Sequence, residues 1–226
     1  MKRYFICLAN SKKYGERCIA GIEVHRKANG NFRAVRRADQ SPKWIRPVTD
    51  TEMGQVPAHM VRYMRLLDIY QLEVLKDCPK SYQQENVLFR KYSLQKITTY
   101  PLQVEQLRAV CSTNNQGIFG NFGYRVSTGC AANLTHSLAL IEAERAEVLR
   151  VVSPNSVTGI PRIQIRLQFE YQNTSYDFPI TDLDFLHRYD EDTDLLATAQ
   201  HVFVCTSLGI TYRDWHYKLA AGIIVV

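Results

Sequence analysis

Residues 162–181 read RIQIRLQFEYQNTSYDFPIT. Ile163, Ile165, Leu167 and Phe169 alternate with polar residues, QNTS supplies a turn, and Tyr176, Phe178 and Ile180 alternate on the return. In a strand, every second side chain points to the same side, so this pattern is a β-hairpin with one buried face and one wet face. It sets the fold class, because the flanking sequence reads as more short strands.

HVFVCTSLG (201–209) and YKLAAGIIVV (217–226) are two further strands, and residues 182–194 between them and the hairpin form an acidic loop. Near the N-terminus, the apolar runs Tyr4 to Leu8 and Cys18 to Val24 flank a polar hairpin loop holding Lys12, Lys13, Glu16 and Arg17. Trp44, Ile45 and Val48 make a short strand that Pro47 places at an edge or an end. Leu66 to Leu75 and Glu85 to Phe89 have strand length and composition. Pro101 to Val110 fits a helix, with Pro in the first turn and Val104, Leu107 and Val110 at spacings of three. His136 to Val152 stays ambiguous: EAERAEVL favours helix by propensity, while SLALIEA and EVLRVV read as strand–turn–strand. YFICLANS…CIAGIEV near the start echoes VFVCTSLG…KLAAGIIV near the end, as two barrels of related design would. The expectation is a mainly β protein of two tandem five-stranded barrels with few short helices. The first barrel covers residues 1–110, a Gly/Asn-rich connector 111–134, and the second barrel 135–226.

The chain has 226 residues, 46% hydrophobic and 22% charged, which is the composition of a folded protein rather than a disordered one. No apolar run reaches the roughly 18 residues of a membrane span, and the N-terminal apolar stretch is too short for a signal peptide, so a cytoplasmic protein without a membrane partner is expected. The six cysteines form no CxxC pair, and three of them (Cys7, Cys18, Cys205) sit in strand-like runs, so they read as structural. Neither metal nor cofactor is expected. The net charge of +6 divides unevenly, +10 in residues 1–110 against −4 in 111–226, which hints at a polyanion partner for the N-terminal part.

CLANSKKYGERCIAGIE, WIRPV, LLDIYQLEV, YQQENVLF, IFGNFGYRVS, YDFPITDLDFL, VCTSLG and HYKLAAGII, taken in order from about Phe5 to about Ile224, resemble the dual OB-domain proteins of prokaryotic biological conflict systems. The resemblance implies two OB-like folds and a nucleic-acid-binding or nucleotide-sensing role in a defence or regulatory setting, beside NTPase and effector partners. It implies no catalytic residues.

OB barrels bind single strands with cations for phosphates and aromatics for bases. Lys12, Lys13 and Arg17 lie on the first hairpin, and Arg36, Arg37, Lys43 and Arg46 cluster before and within WIRPV. Alternation puts Trp44 and Arg46 on one strand face and Ile45 on the other, so Trp44 is either a stacking residue beside a phosphate clamp or a core residue. Tyr82 and Asn86 lie where amides and a ring either read a base or close a turn. Tyr212, Arg213, Trp215, Tyr217 and Lys218 form the densest aromatic–basic stretch, either a ligand loop or a loop plugged by Trp215. No nucleophile, metal or phosphate-loop motif points to an enzyme. The expected ligand is nucleic acid, single-stranded or RNA. The alternatives are a docking scaffold for a protein partner encoded by a neighbouring defence gene and a small-nucleotide sensor.

Overall fold

The computed structural model describes residues 1–101, 103–113, 115–153 and 161–226. Its strands fall in two sheets. The first holds β1 (Lys2–Lys13), β2 (Glu16–Arg26), β3 (Phe32–Ala34), β4 (Trp44–Val48), β5 (Asp68–Asp77), β6 (Asn86–Phe89) and β7 (Gln95–Thr99). The second holds β8 (Arg125–Ser127), β9 (Leu138–Ser153), β10 (Arg162–Tyr171), β11 (Thr174–Pro179), β12 (Val202–Tyr212) and β13 (Trp215–Val225). The helices are short: α1 (Ala58–Val61), α2 (Val104–Arg108), α3 (Thr128–Ala131) and α4 (Leu183–Glu191).

Each sheet closes into a five-stranded barrel. The first runs β1-β2-β4-β6-β5 and returns to β1, with β4 and β6 parallel. The second runs β11-β10-β9-β12-β13, and a parallel bridge from Ile180 to Ala220 joins β11 to β13. Counted in chain order within each barrel, both follow 1-2-3-5-4-1. The third and fifth strands are parallel, and a helix (α1 or α4) sits between the third and fourth. This is the OB-like architecture that the strand count predicts. The hairpin at 163–180 lies in the second barrel as β10 and β11, with Phe169, Tyr176 and Phe178 packed ring against ring inside it.

Three apolar clusters explain the patterning. Phe5, Cys7, Ile19, Ile45 and Leu72 fill the first barrel. Leu167, Phe169, Phe178, Val204 and Ile223 fill the second. A third cluster lies between them: Ile6, Leu8, Ala20, Ile22 and Trp44 meet Leu138, Leu140, Phe203, Cys205, Ala221 and Ile224. β1, β2, β12 and β13 are therefore buried on both faces. That is why FICLA and AAGIIV run on without polar alternation, whereas β10 and β11, with one face buried, alternate. Among the described residues no helix is long and apolar enough to cross a membrane.

The internal echo marks a shared device rather than equivalent strands. Cys7 pairs with Gly21, and Cys205 with Gly222, and the register slips beside each pair. The first hairpin is strands one and two of its barrel, the second is strands four and five of the other, and each lends a face to the central cluster.

Several local expectations are corrected. The polar hairpin loop shrinks to Tyr14–Gly15, both at positive φ, and Lys12, Lys13 and Arg17 belong to the strands. β4 is not an edge, since it pairs with β2 and with β6. The segment left open between helix and strand–turn–strand is one strand, residues 138–153: β9 pairs first with β12 and then with β10, and Arg145 at φ 50° sits where the partner changes. The acidic stretch is α4, capped by the buried Asp182, whose side chain accepts from the amides of Asp184 and Phe185. The Gly/Asn-rich stretch contributes β8, which pairs with β13.

Candidate nucleic-acid interface

OB barrels commonly bind ligands across strands two and three. In the first barrel those strands are β2 and β4, and the second barrel covers them through the central cluster. Trp44 is 7% exposed and Arg46 is 2% exposed, so both leave the surface set expected from the sequence. Trp44 and Arg46 do share a face, opposite Ile45, but that face meets a barrel rather than solvent. Arg46 donates through Nε to Glu85 Oε1 at 3.0 Å, through Nη2 to Ser137 Oγ at 2.7 Å and through Nη1 to Cys18 Sγ at 3.1 Å. Burial works against its charge, but Cys18 and Glu85 outweigh burial, and its pKa is raised. Glu85 also accepts from the Ser137 hydroxyl at 2.6 Å, so the pair ties one barrel to the other.

The remaining predicted cations do not form one face. Lys12 and Arg17 stand opposite each other across the first hairpin, while neighbouring Lys13 projects to the other side and donates to the Met53 carbonyl at 2.6 Å. Arg36 donates to the carbonyls of Gln40 and Ala109, Arg37 to that of Thr135, and Lys43 pairs with Glu23 at 2.9 Å. In the second barrel, strands two and three are β10 and β11. Among the described side chains there, Arg166 on β10 is matched by Asp177, and Arg145 on adjacent β9 by Glu170.

The predicted second site separates into three parts. Tyr82 is buried: its ring lies 3.9 Å from that of His216, and its hydroxyl donates to the Gly209 carbonyl at 2.9 Å. Asn86 is buried and lines a cleft beside Lys13. Lys218 is fully buried, its ammonium donating to Asn121 O at 3.0 Å and Oδ1 at 2.8 Å. Burial pushes its pKa down to about 7. Above that pH the unfolded chain holds a proton that the folded chain has released, so this group makes stability rise with pH from about 7 towards the ordinary lysine range. In denaturant unfolding across that range, Lys218→Met is expected to show a smaller rise than wild type. Parallel profiles would contradict this assignment.

Tyr212, Arg213, Trp215 and Tyr217 form the third part. Tyr212, Trp215 and Tyr217 belong to strands, while Arg213 with Asp214, both at positive φ, closes the tight turn between β12 and β13. Tyr212 pairs with Trp215, and Tyr217 with Arg125 on β8, which places these side chains together on one face of the hairpin. The Arg125 guanidinium lies 4.0 Å over the Trp215 ring and 5.3 Å over the Tyr124 ring. Tyr124 and Tyr212 lie 6.0 and 6.5 Å from Tyr217, ring to ring, and Arg213 caps Tyr212 at 5.3 Å. Tyr212 is 57% exposed and Tyr124 51%, large solvent fractions for aromatic rings. Sequence reasoning missed Tyr124 and Arg125 because they sit in the Gly-rich stretch. The signal was there in NFGYRVS, an aromatic–aromatic–basic run too rich in rings for a plain linker. Neighbouring aromatic faces with interleaved guanidinium groups can stack bases and neutralise phosphates.

A family model described as the dual OB-containing domain matches residues 3–223. No curated protein matches. Among solved structures, the chain is similar to a replication protein A heterotrimer bound to ssDNA, at 7% identity and a TM-score of 0.38, over 92% of this chain and 44% of that one. It is also similar to the tetrameric p202 HIN2, at 10% identity and a TM-score of 0.29, over 100% of this chain and 92% of that one. The chain thus spans less than half of the replication protein A chain. Scores this low leave the fold resting on the strand order and the family match.

Proposed function

Because this chain belongs to the dual OB-containing domain family, we propose that it is a non-catalytic module that binds single-stranded nucleic acid on the aromatic face of β8, β12 and β13. Two barrels, 1–110 and 135–226, serve as its scaffold, in the defence or regulatory setting that the resemblance implies. The observation that carries the reading is the grouping of Tyr124, Tyr212, Trp215 and Tyr217 with Arg125 and Arg213 on one accessible surface. Every base has a π-face, so such a surface accepts DNA or RNA without a fixed sequence. The site lies in the half of the chain with net negative charge; most acids of that half stand on α4, β9 and β10, and Asp214 in the β12–β13 turn is the acid beside the face. Local cations, not the sum over a half, decide where phosphates dock.

The two residue types leave different fingerprints. Trp215→Ala or Tyr217→Ala is expected to cost about 1–3 kcal/mol of binding and to leave the salt dependence nearly unchanged. Arg213→Gln is expected to flatten the slope of log K against log salt by about 0.7, one phosphate contact on a single strand. Oligonucleotide binding measured over a series of salt concentrations reads both effects. Folded variants that bind as wild type does, with the same slope, would remove the face from consideration.

A further inference from the structure

A cleft lies on the opposite side of the same hairpin. Three lysines reach one cleft of about 520 Å³ from separate places: Lys13 at the end of β1, Lys76 near the end of β5 and Lys80 in the loop that follows. The cleft has the size of a small-molecule pocket. Lysines that form ion pairs among the described residues are Lys43 and Lys96, so none of these three has a carboxylate partner. Lys13 and Lys80 each donate to one backbone carbonyl, of Met53 and of Glu52, which leaves donors over on each ammonium. Burial lowers the Lys13 pKa, and the nearby charges of Arg46 and Lys80 lower it further against an opposing contribution from Cys18. Asp50 and Glu52, both exposed, also line the cleft, and among the described residues neither carboxylate forms an ion pair with any of the three. Asn86 also lines the cleft, is 5% exposed, and its Oδ1 has no hydrogen-bond partner among the described residues.

We propose that this cleft binds a compact polyphosphate group, of the kind carried by a nucleoside diphosphate, separately from the aromatic face. Three cations converging from three directions match an anion with several oxygens better than a single carboxylate. Val48, Leu88 and Ile210 offer apolar wall to the rest of such a ligand, and Asn86 an acceptor for an amino group or hydroxyl. Ile210 and Thr211 come from the second barrel, so a bound ligand touches both barrels and the strand that leads to Tyr212.

The test uses the intact chain, titrated calorimetrically at low salt with inorganic pyrophosphate and with adenosine 5′-diphosphate. Both are expected to bind. Tighter binding of the nucleotide assigns the ligand to a nucleoside source, and equal binding assigns it to the inorganic one. Lys76 and Lys80 are exposed, so the paired Lys76→Gln/Lys80→Gln variant is expected to stay folded. It should bind either probe about tenfold or more weakly, because two charge-assisted contacts are lost. Its oligonucleotide affinity should not change. The inference is overturned if neither probe binds at about 1 mM, where a useful site would be half filled, or if the paired variant binds the probes as wild type does. It is also overturned if the variant loses oligonucleotide affinity to the same degree, since the cleft would then be part of the strand's path.

Discussion

Arg46→Ala is expected to destabilise the protein by about 3–5 kcal/mol, because it strands a buried carboxylate. Glu85 is 6% exposed and takes its charge balance from Arg46 at 3.0 Å. Without the guanidinium, Ser137 is left as its donor, through the hydroxyl and the backbone amide. Two neutral hydrogen bonds do not replace a counterion in a buried interface. Glu85→Ala is expected to cost a similar amount by leaving the cation unpaired. The paired variant Arg46→Met/Glu85→Leu should be more stable than either single change, since it removes both charges and keeps the volume. Urea unfolding of the four proteins reads the coupling. Single-variant losses under about 1 kcal/mol would place this pair among surface-type bridges and contradict its assigned role at the seam.

Gly222→Ala is the second large effect. A Cβ at Gly222 would fall 2.0 Å from the Leu8 carbonyl oxygen and 3.2 Å from the Ala9 Cα. These are backbone atoms of β1, so relief requires β13 to draw away from β1 and opens the central cluster. A loss of about 3 kcal/mol or more is expected, at the upper end of overpacking costs. Gly129→Ala is the control, since its added Cβ meets nothing within 4 Å. That residue lies in α3, where alanine is favoured over glycine by up to about 1 kcal/mol. If the two substitutions behave alike in thermal unfolding, the close approach at Gly222 is not what holds the barrels together.

Alternation and turns carried most of the fold. Ile163 to Ile180 announced β10 and β11, and Tyr4 to Val24 announced β1 and β2, because period-two burial and turn residues are local properties. The 138–153 segment was not legible, since its helix-favouring residues are overruled by partners far away in the chain, β12 and β10. The continuous apolar runs did hold the information that the barrels are fused, because a strand without polar alternation is buried on both faces. At WIRPV, alternation correctly separated Ile45 from Trp44 and Arg46, but nothing local says whether the far side is water or another barrel. Serines 137 and 207, which meet Arg46 there, lie 91 and 161 positions away in sequence. Tyr212, Trp215 and Tyr217 were legible as a group from their density, whereas Tyr124 and Arg125 joined them through the pairing of β8 with β13.

The proposed binding face carries its own probe. The chain has two tryptophans, and Trp44 is buried in the central cluster while Trp215 lies on the aromatic face. The direct measurement is intrinsic tryptophan fluorescence during titration with a single-stranded homopolymer oligonucleotide at low salt. Stacking of a base on or beside Trp215 is expected to quench the emission saturably, to persist in Trp44→Phe and to vanish in Trp215→Phe, with salt reversing it. Saturated oligonucleotide binding that leaves the Trp215 emission unchanged, or an absence of binding at low salt, would contradict the account.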